Sequence, residues 1–376
     1  MMSGSAQCGV VVIAANSAWN LVNFRAGLIR ALQFDGYRVI ALAPQDEFAP
    51  RLAELGVEYQ PIAMQSSGIS PIADLLLLAR YFRALRKIGP GAFLGFTIKP
   101  NIYGSFAARA LGIRVINNIS GLGTAFIKEG LLTRIATALY KLALRGSSTI
   151  FFQNRDDLDL FVRKKMVRPN QARLVPGSGI DLDRFIPIEG STAGDKFGFL
   201  LIARLLWDKG IQEYVDAART IRAIMPKVRC RILGFVDVDN RTAVPRATLD
   251  GWVSEGWIDY LGSTDDVRPF IAEADCIVLP SYREGMPRVL LEASAMGKPV
   301  VGTDVPGVRE AVDDGVTGFL CQARSARSLA DAMLKVARMP IAERAKLGAA
   351  GRRKVEREFL QSIVIEQYLA AVAGKE

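Results

Sequence analysis

The pattern that most restricts this chain is a repeated alternation of short apolar runs with stretches of helical periodicity. Gly9–Ala15, Arg38–Ala43, Val57–Tyr59, Ala92–Phe96, Ile113–Asn117 and Thr149–Gln153 read as buried strands. Leu21 to Phe34, Arg51–Leu55, Pro71–Ile88, Asn101–Leu111, Leu131–Arg145 and Arg155–Lys165 carry helical spacing around them. Strands separated by helices pair in parallel, with helices on both faces of the sheet. Asp183 to Asp195 is rich in chain breakers and predicts a linker. A second series follows, with strands Phe197–Ile202, Val228–Leu233, Ile258–Leu261, Cys276–Leu279 and Pro299–Gly302. Helices are expected near Ile211–Ile224, Arg246–Ser254, Asp266–Glu273 and from Pro287 to about Met296, and Ser325 to Gly374 reads as mainly helical. The expected division is a first α/β domain over 1–182, a linker over 183–195, a second α/β domain over 196–355 and a terminal helix within 356–376. The 376 residues suffice for two cores.

Composition removes several classes of chemistry. There is no histidine, hence no histidine base and no histidine metal ligand. The turn Asn16-Ser17-Ala18-Trp19-Asn20 after the first strand lacks the glycine fingerprint of dinucleotide binding. A formal charge of +10 points to anionic partners: nucleotide diphosphates, anionic lipid surfaces or nucleic acid. Without a reading helix or an aromatic platform, nucleic acid is set aside. Cys8, Cys230, Cys276 and Cys321 lie far apart in or beside apolar runs and read as buried thiols. No segment approaches the roughly 18 apolar residues of a spanning helix. Met1 to Gln7 carries no Lys or Arg ahead of the first apolar run, so no secretory signal and a cytoplasmic protein are expected.

The densest chemistry lies between Pro280 and Gly302. A buried strand, the turn Ser281-Tyr282-Arg283-Glu284-Gly285-Met286-Pro287 and a helix start, with Pro287 suited to its first position, form a strand–turn–helix at the carboxyl edge of a parallel sheet. Open α/β proteins hold ligands there, and the N–H groups of a helix start suit a phosphate. Gly285 leaves room for a ligand against the backbone, while Glu284 and Glu292, eight positions apart, can bracket it at two depths and accept from sugar hydroxyls. After the first strand of the second half, Arg204 and Lys209 fit two readings: cations that neutralise a diphosphate, or solvated basic residues.

With Glu284, Gly285-Met286-Pro287, Glu292-Ala293 and Gly297-Lys298-Pro299-Val300-Val301 in this order, the segment resembles the donor-binding motif of retaining GT-B glycosyltransferases of family 4. The resemblance implies an α/β GT-B fold, two Rossmann-like domains facing across a central cleft, with the last helix, Glu358–Ala373, crossing back onto the N-terminal domain. It implies that Glu284 contacts the donor sugar, that Glu292 clamps the ribose, that Gly285, Met286 and Pro287 line the donor site, and that Arg204 and Lys209 meet the diphosphate. Gly234-Phe235-Val236-Asp237 resembles the turn against the nucleotide base, which makes Gly234 a donor residue. Asp237-Val238-Asp239 matches a two-aspartate metal motif, but Asp181-Leu182-Asp183 and Asp157-Leu158-Asp159 match it equally, so no metal is assigned, and no cofactor beyond a UDP-sugar co-substrate. Where many family members carry a histidine, this chain has Thr97, Ile98 and Lys99. A front-face substitution is therefore expected, in which the leaving diphosphate takes the acceptor proton and Arg204, Lys209 and Glu284 are the catalytic group. Lys99 and Asn101 fit either acceptor contacts or structural roles.

Arg134, Lys141 and Arg145 share one face of the Leu131–Arg145 helix, and Ile135, Leu139 and Leu142 share another; Arg80, Arg83, Arg86 and Lys87 form a second basic cluster. A solvated face opposite a core face explains one such helix. Two of them in a chain of this charge fit an anionic membrane surface or a lipid diphosphate. Asn23-Phe24-Arg25, Ala43 to Glu47, Ile116 to Gly123 and Ser281 to Ala293 extend the resemblance to bacterial enzymes that elongate undecaprenyl-diphosphate-linked saccharides, on the inner face of the cell membrane, in O-antigen, capsule or N-glycan assembly. The implied reaction moves a sugar, such as an N-acetylhexosamine, from a UDP-sugar to that lipid. A UDP-sugar epimerase of similar fold and a silent glycan- or membrane-binding scaffold are the alternatives.

Overall fold

The computed structural model describes residues 9–65, 70–121, 131–188, 197–236, 240 and 242–375, with the side chains of 131–134 and 136 outside the description. The chain divides into two compact units: residues up to 178 together with 361 onward, and residues 179–360.

The first unit runs β1 (Val10–Ala14), α1 (Ala18–Phe34), β2 (Arg38–Ala43), α2 (Ala49–Glu54), β3 (Glu58–Pro61), α3 (Pro71–Ile88), β4 (Ala92–Gly95), α4 (Ser105–Ala110), β5 (Arg114–Ile119), α5 (Leu131–Leu144), β6 (Thr149–Phe152), α6 (Arg155–Arg163) and β7 (Ala172–Leu174). Its strands pair in parallel in the order β3-β2-β1-β4-β5-β6-β7, so the sheet reverses direction of growth between β1 and β4. β1 is Val-Val-Val-Ile-Ala: branched side chains favour the extended backbone, and burial on both faces of a parallel strand makes the run continuous. α1 begins because Ser17 Oγ accepts from Asn20 N–H at 3.2 Å and Asp46 Oδ2, from the loop after β2, accepts from Ala18 N–H at 2.7 Å and Trp19 N–H at 3.2 Å.

The second unit runs β8 (Gly198–Ile202), α7 (Ile211–Ile224), β9 (Arg229–Leu233), α8 (Arg246–Ser254), β10 (Asp259–Tyr260), α9 (Arg268–Glu273), β11 (Cys276–Leu279), α10 (Arg288–Ala295), β12 (Val300–Thr303), α11 (Val308–Ala311), β13 (Gly318–Cys321), α12 (Ala326–Arg338) and α13 (Ile341–Glu358). Its order, β10-β9-β8-β11-β12-β13, reverses between β8 and β11. The last helix, α14 (Gln361–Ala373), belongs to the first unit. Tyr368 of α14 is buried with its ring 4.5 Å from that of Phe151 and 5.7 Å from that of Phe96, and Val364 and Ala371 join the same core as Ile13 and Ile116. Burying one aromatic ring of this size contributes about 2 kcal/mol toward docking the helix, and the burial of Val364, Ala371 and Val372 adds to it.

Several boundaries differ from the sequence expectation. The first unit ends at Ser178 rather than 182, and the last crossing falls at Leu360 rather than 355, because Phe359 is buried in the second unit and its carbonyl accepts from Ile180 N–H at 2.8 Å. The third strand shifts from Val57–Tyr59 to Glu58–Pro61. The helix expected over Asn101–Leu111 opens with a π-helical turn, Pro100–Gly104, before α4. The short edge strands β7 and β13 were not expected at all. Pro287 stands one residue before α10, at its N-cap, with φ −77° and ψ 90°.

Candidate active site

In an open parallel sheet, ligands sit beyond the carboxyl ends of the strands where the order reverses. In the second unit those ends are Ala203–Gly210 after β8 and Pro280–Pro287 after β11, and the two loops are built against one another. Lys209 closes a 3-10 turn, Trp207–Lys209, and Gly210 follows at φ 72°. A Cβ on Gly210 would fall 2.1 Å from the Pro280 carbonyl oxygen, so only glycine allows this approach. Tyr282 N–H donates to the Asp208 carbonyl at 2.9 Å.

The approach delivers one side-chain pair. Lys209 Nζ lies 2.6 Å from Glu284 Oε1, and Ser281 Oγ donates to the same oxygen at 2.6 Å. The two charged side chains are only 16% and 14% exposed, so their attraction is screened less than on the surface. Thr303 Oγ1 donates to the Ser281 carbonyl, and Glu284 N–H donates to the Pro306 carbonyl at 3.2 Å. Gly307, at φ 85°, lets this third loop close in: its Cβ would meet the Glu284 carbonyl oxygen at 2.6 Å. Glu284 is thus held by three loops that follow β8, β11 and β12.

Glu292 has a separate partner. It is buried on α10 and accepts from Arg288 Nε at 2.6 Å, four residues earlier on the same helix. Burial pushes its pKa up, and the Arg288 charge and hydrogen bond pull it back. Each carboxylate is held by its own cation, Glu284 by Lys209 and Glu292 by Arg288. Arg204 is exposed beyond the end of β8. Of the two cations expected on a diphosphate, Lys209 is thus ion-paired with Glu284 and Arg204 is exposed. Gly234, at φ 156°, leaves no space for a side chain, since a Cβ would overlap the Ala203 carbonyl oxygen at 1.7 Å. Its N–H donates to the Gly262 carbonyl and its own carbonyl accepts from Tyr260 OH, both at 2.8 Å. Gly285 and Pro287 are buried and Met286 half-buried, and neither α7 nor α10 has a side-chain N-cap. Helix starts of this kind leave N–H groups for an anion.

Asp237–Asp239 lies outside the described residues. Of the other aspartate pairs, Asp181 accepts from the N–H groups of Asp183 and Arg184, and Asp157 is buried against Asn154, which makes both parts of turns. Among the described residues no three metal-binding side chains converge.

In the first unit, the turn after β4 carries Lys99, whose Nζ lies 2.9 Å from Asp74 Oδ1 on α3. Tyr103 hydrogen-bonds the same carboxylate, and burial followed by that bond raises its pKa. Asn101 is 1% exposed: its amide donates to the Asn118 carbonyl at 2.8 Å and accepts from Asn117 Nδ2 at 2.9 Å. That corrects its reading as an acceptor contact. Asn117, Ser105, Ser147, Asn118, Gln153 and Tyr368 continue this buried network, with Asn118 Nδ2 donating to Tyr368 OH at 2.7 Å. In the sequence, Asn117 and Asn118 stood out only as the end of the strand expected over Ile113–Asn117 and as part of the run Ile116 to Gly123.

On α5, Lys141 is exposed, as is Arg145 just beyond the helix, while the Arg134 side chain is outside the description. Tyr140, Ala143 and Leu144 face the core; Ile135 and Leu142, expected on the core side, are exposed. Ser281, Thr303, Gly307, Gly210 and Arg288 were missed as site residues. Only Arg288 left a local signal, its i,i+4 spacing to Glu292.

Comparison with known proteins agrees with the two-unit α/β fold. Residues 23–177 match the glycosyl transferase 4-like domain and residues 196–339 match glycosyl transferases group 1. The chain is 26% identical over 367 residues to the N,N'-diacetylbacillosaminyl-diphospho-undecaprenol alpha-1,3-N-acetylgalactosaminyltransferase of Campylobacter jejuni, covering 93% of this chain and 94% of the relative. It is 25% identical over 280 residues to the UDP-Gal:alpha-D-GlcNAc-diphosphoundecaprenol alpha-1,3-galactosyltransferase of Escherichia coli, covering 71% and 72%. Among solved structures, Anabaena HepE in complex with UDP-glucose superposes with a TM-score of 0.81 at 18% identity over 98% of this chain and 100% of that one. Sucrose-phosphate synthase of Thermosynechococcus elongatus gives a TM-score of 0.80 at 19% identity, covering 96% and 97%. With both of its α/β units matched, one by each domain family, the chain belongs to the family 4 glycosyltransferases of GT-B fold.

Proposed function

We propose that this glycosyltransferase moves a sugar from a UDP-sugar to a polyprenyl-diphosphate-linked saccharide, with retention of configuration and without a metal ion. The observation that carries the reading is the Lys209–Glu284–Ser281 group, set at the strand-order reversal beside two helix starts that lack side-chain caps. The relatives in Campylobacter jejuni and Escherichia coli, named as transferases that form alpha linkages on diphosphoundecaprenol saccharides, support the acceptor class and the stereochemistry. The nucleotide in the Anabaena complex supports UDP.

Lys209 Nζ has three protons, of which Glu284 takes one, leaving donors for the β-phosphate. Arg204 supplies the second cation. As the bond from the anomeric carbon to the phosphate oxygen breaks, the acceptor oxygen bonds to that carbon on the same face, and the acceptor proton passes to the departing diphosphate. The two cations stabilise the charge that develops on it. Glu284 Oε2 is the acceptor for a donor-sugar hydroxyl, Gly285, Met286 and Pro287 shape that pocket wall, and Glu292 accepts from the ribose. Lys99, already paired with Asp74, is the acceptor-side cation. The chain works at the inner membrane face, with Lys141 and Arg145 toward anionic headgroups; among the described residues no helix is long and apolar enough to cross a membrane.

The test is UDP release by the purified protein against a panel of UDP-sugars, with and without undecaprenyl-diphosphate-linked monosaccharide in detergent, each with EDTA. Release that needs the lipid, survives EDTA and yields an α-linked product is expected. UDP-sugar conversion without acceptor would identify an epimerase, and a β-linked product would overturn retention.

A further inference from the structure

The exposed face of α3 is divided along its length. Ile72, Leu75 and Leu76, in its first two turns, are 75%, 68% and 51% exposed. Arg80, Arg83, Arg86 and Lys87, farther along, are all exposed too. The spacings from Ile72 are 3, 4, 8, 11, 14 and 15 positions, which places every one of them on a single stripe. The opposite stripe, Leu77, Tyr81, Ala84 and Leu85, is buried in the core of the first unit. Asp74, the one acidic residue of α3, is also buried, against Lys99. The outward stripe is therefore apolar at one end, cationic at the other and free of negative charge.

The helix macrodipole accounts for basic residues in the last turn. It gives no reason for three large aliphatic side chains to stand in water at the start. We infer that α3 docks on an anionic phospholipid bilayer, with Ile72, Leu75 and Leu76 entering the acyl boundary and the arginines lying at the phosphate level. The apolar and basic ends are ~22 Å apart along the axis, so the helix meets the surface at a slant, N-terminal end lowest. Charge complementarity selects the occupant: a basic stripe without acids suits phosphatidylglycerol headgroups, each cation contributing on the order of 1 kcal/mol near such a surface. This rests on the reading that the acceptor is held in a membrane, and it names the element that reaches it.

The test is flotation of the full chain with vesicles of phosphatidylglycerol and phosphatidylethanolamine, and with phosphatidylcholine alone. The wild type is expected to float with the anionic vesicles and to be released by 0.5 M salt. Leu75→Ser with Leu76→Ser should weaken vesicle binding at least tenfold, and Arg83→Gln with Arg86→Gln should remove the preference for anionic lipid. All four side chains are exposed and outside the buried stripe, and UDP release with a short-chain, water-soluble prenyl-diphosphate saccharide should be unchanged in both. Equal flotation of wild type and the leucine variant would overturn the inference. So would a change in lipid-free molar mass by light scattering in that variant, which would make the face a protein interface. If no UDP is released by any form, the proposed reaction fails while flotation, which needs no substrate, still decides the docking.

Discussion

Replacing Lys209 by Met separates what the lysine does for the fold from what it does for the reaction. In the structure its ammonium and the Glu284 carboxylate are 2.6 Å apart and about one-sixth exposed, and Ser281 still bonds the same oxygen when the lysine is gone. Stranding a fully buried charge costs about 3–5 kcal/mol; with one donor kept and some solvent, about 2 kcal/mol is expected. For a unit of this size that lowers the melting temperature by ~4–8 °C. The double variant Lys209→Met, Glu284→Gln removes the stranded charge and should recover most of that loss. Activity should behave otherwise. A cation that stabilises the departing diphosphate is worth roughly 10²–10³ in kcat, and the double variant restores none of it. Thermal unfolding and UDP release on the three proteins make the cycle. A Lys209→Met enzyme with kcat within threefold of wild type would refute a role on the diphosphate, and recovery of kcat in the double variant would show that the lysine serves only to neutralise Glu284.

Further outcomes follow from the same geometry. Gly210→Ala drives a methyl into the Pro280 carbonyl at a left-handed residue, so it should cost more than ~1 kcal/mol by denaturant unfolding and raise the donor KM as the two loops part. Burial raises the Glu292 pKa on folding, so ionising it opposes folding once the pH passes its ordinary 4.5; Glu292→Gln should be as stable as wild type or more so at pH 7, that gain vanishing in acid, while donor KM rises. A wild-type advantage at pH 7 would reverse that sign. Tyr368→Phe leaves the Asn118 amide without its 2.7 Å acceptor and should cost about 1–2 kcal/mol in unfolding with kcat kept.

The parallel sheets were readable because each strand is a short branched or aromatic run and each helix keeps its period; these are local signals. β7, Ala-Arg-Leu, is broken by a charge and exposed over two of its three residues, and β13, Gly318–Cys321, opens on a glycine, so neither stands out as an apolar run. Glu284 and Lys209 could each be singled out, but 75 positions separate them, and no local pattern reports that they pair. Asn101 illustrates a different limit. An amide at a strand-end turn looks the same whether it faces a ligand or the interior, and here Asn117 and Asn118 on the next strand draw it inward. For α5 the period identified two faces but not which one the neighbouring helix covers, so Ile135 and Leu142 were assigned to the wrong side.

The two units share a topology yet treat the start of their first helix in opposite ways. In the second, α7 follows β8 with no side chain on its leading N–H groups; in the first, the Asp46 carboxylate occupies those of α1. Asp46 is an internal anion on N–H groups of the kind that α7 leaves uncapped, so an incoming phosphate would meet a like charge at the start of α1 and none at the start of α7. On the proposed function, a calorimetric titration with UDP is therefore expected to give one site per chain, and two equal sites would show that Asp46 does not exclude a phosphate from the start of α1.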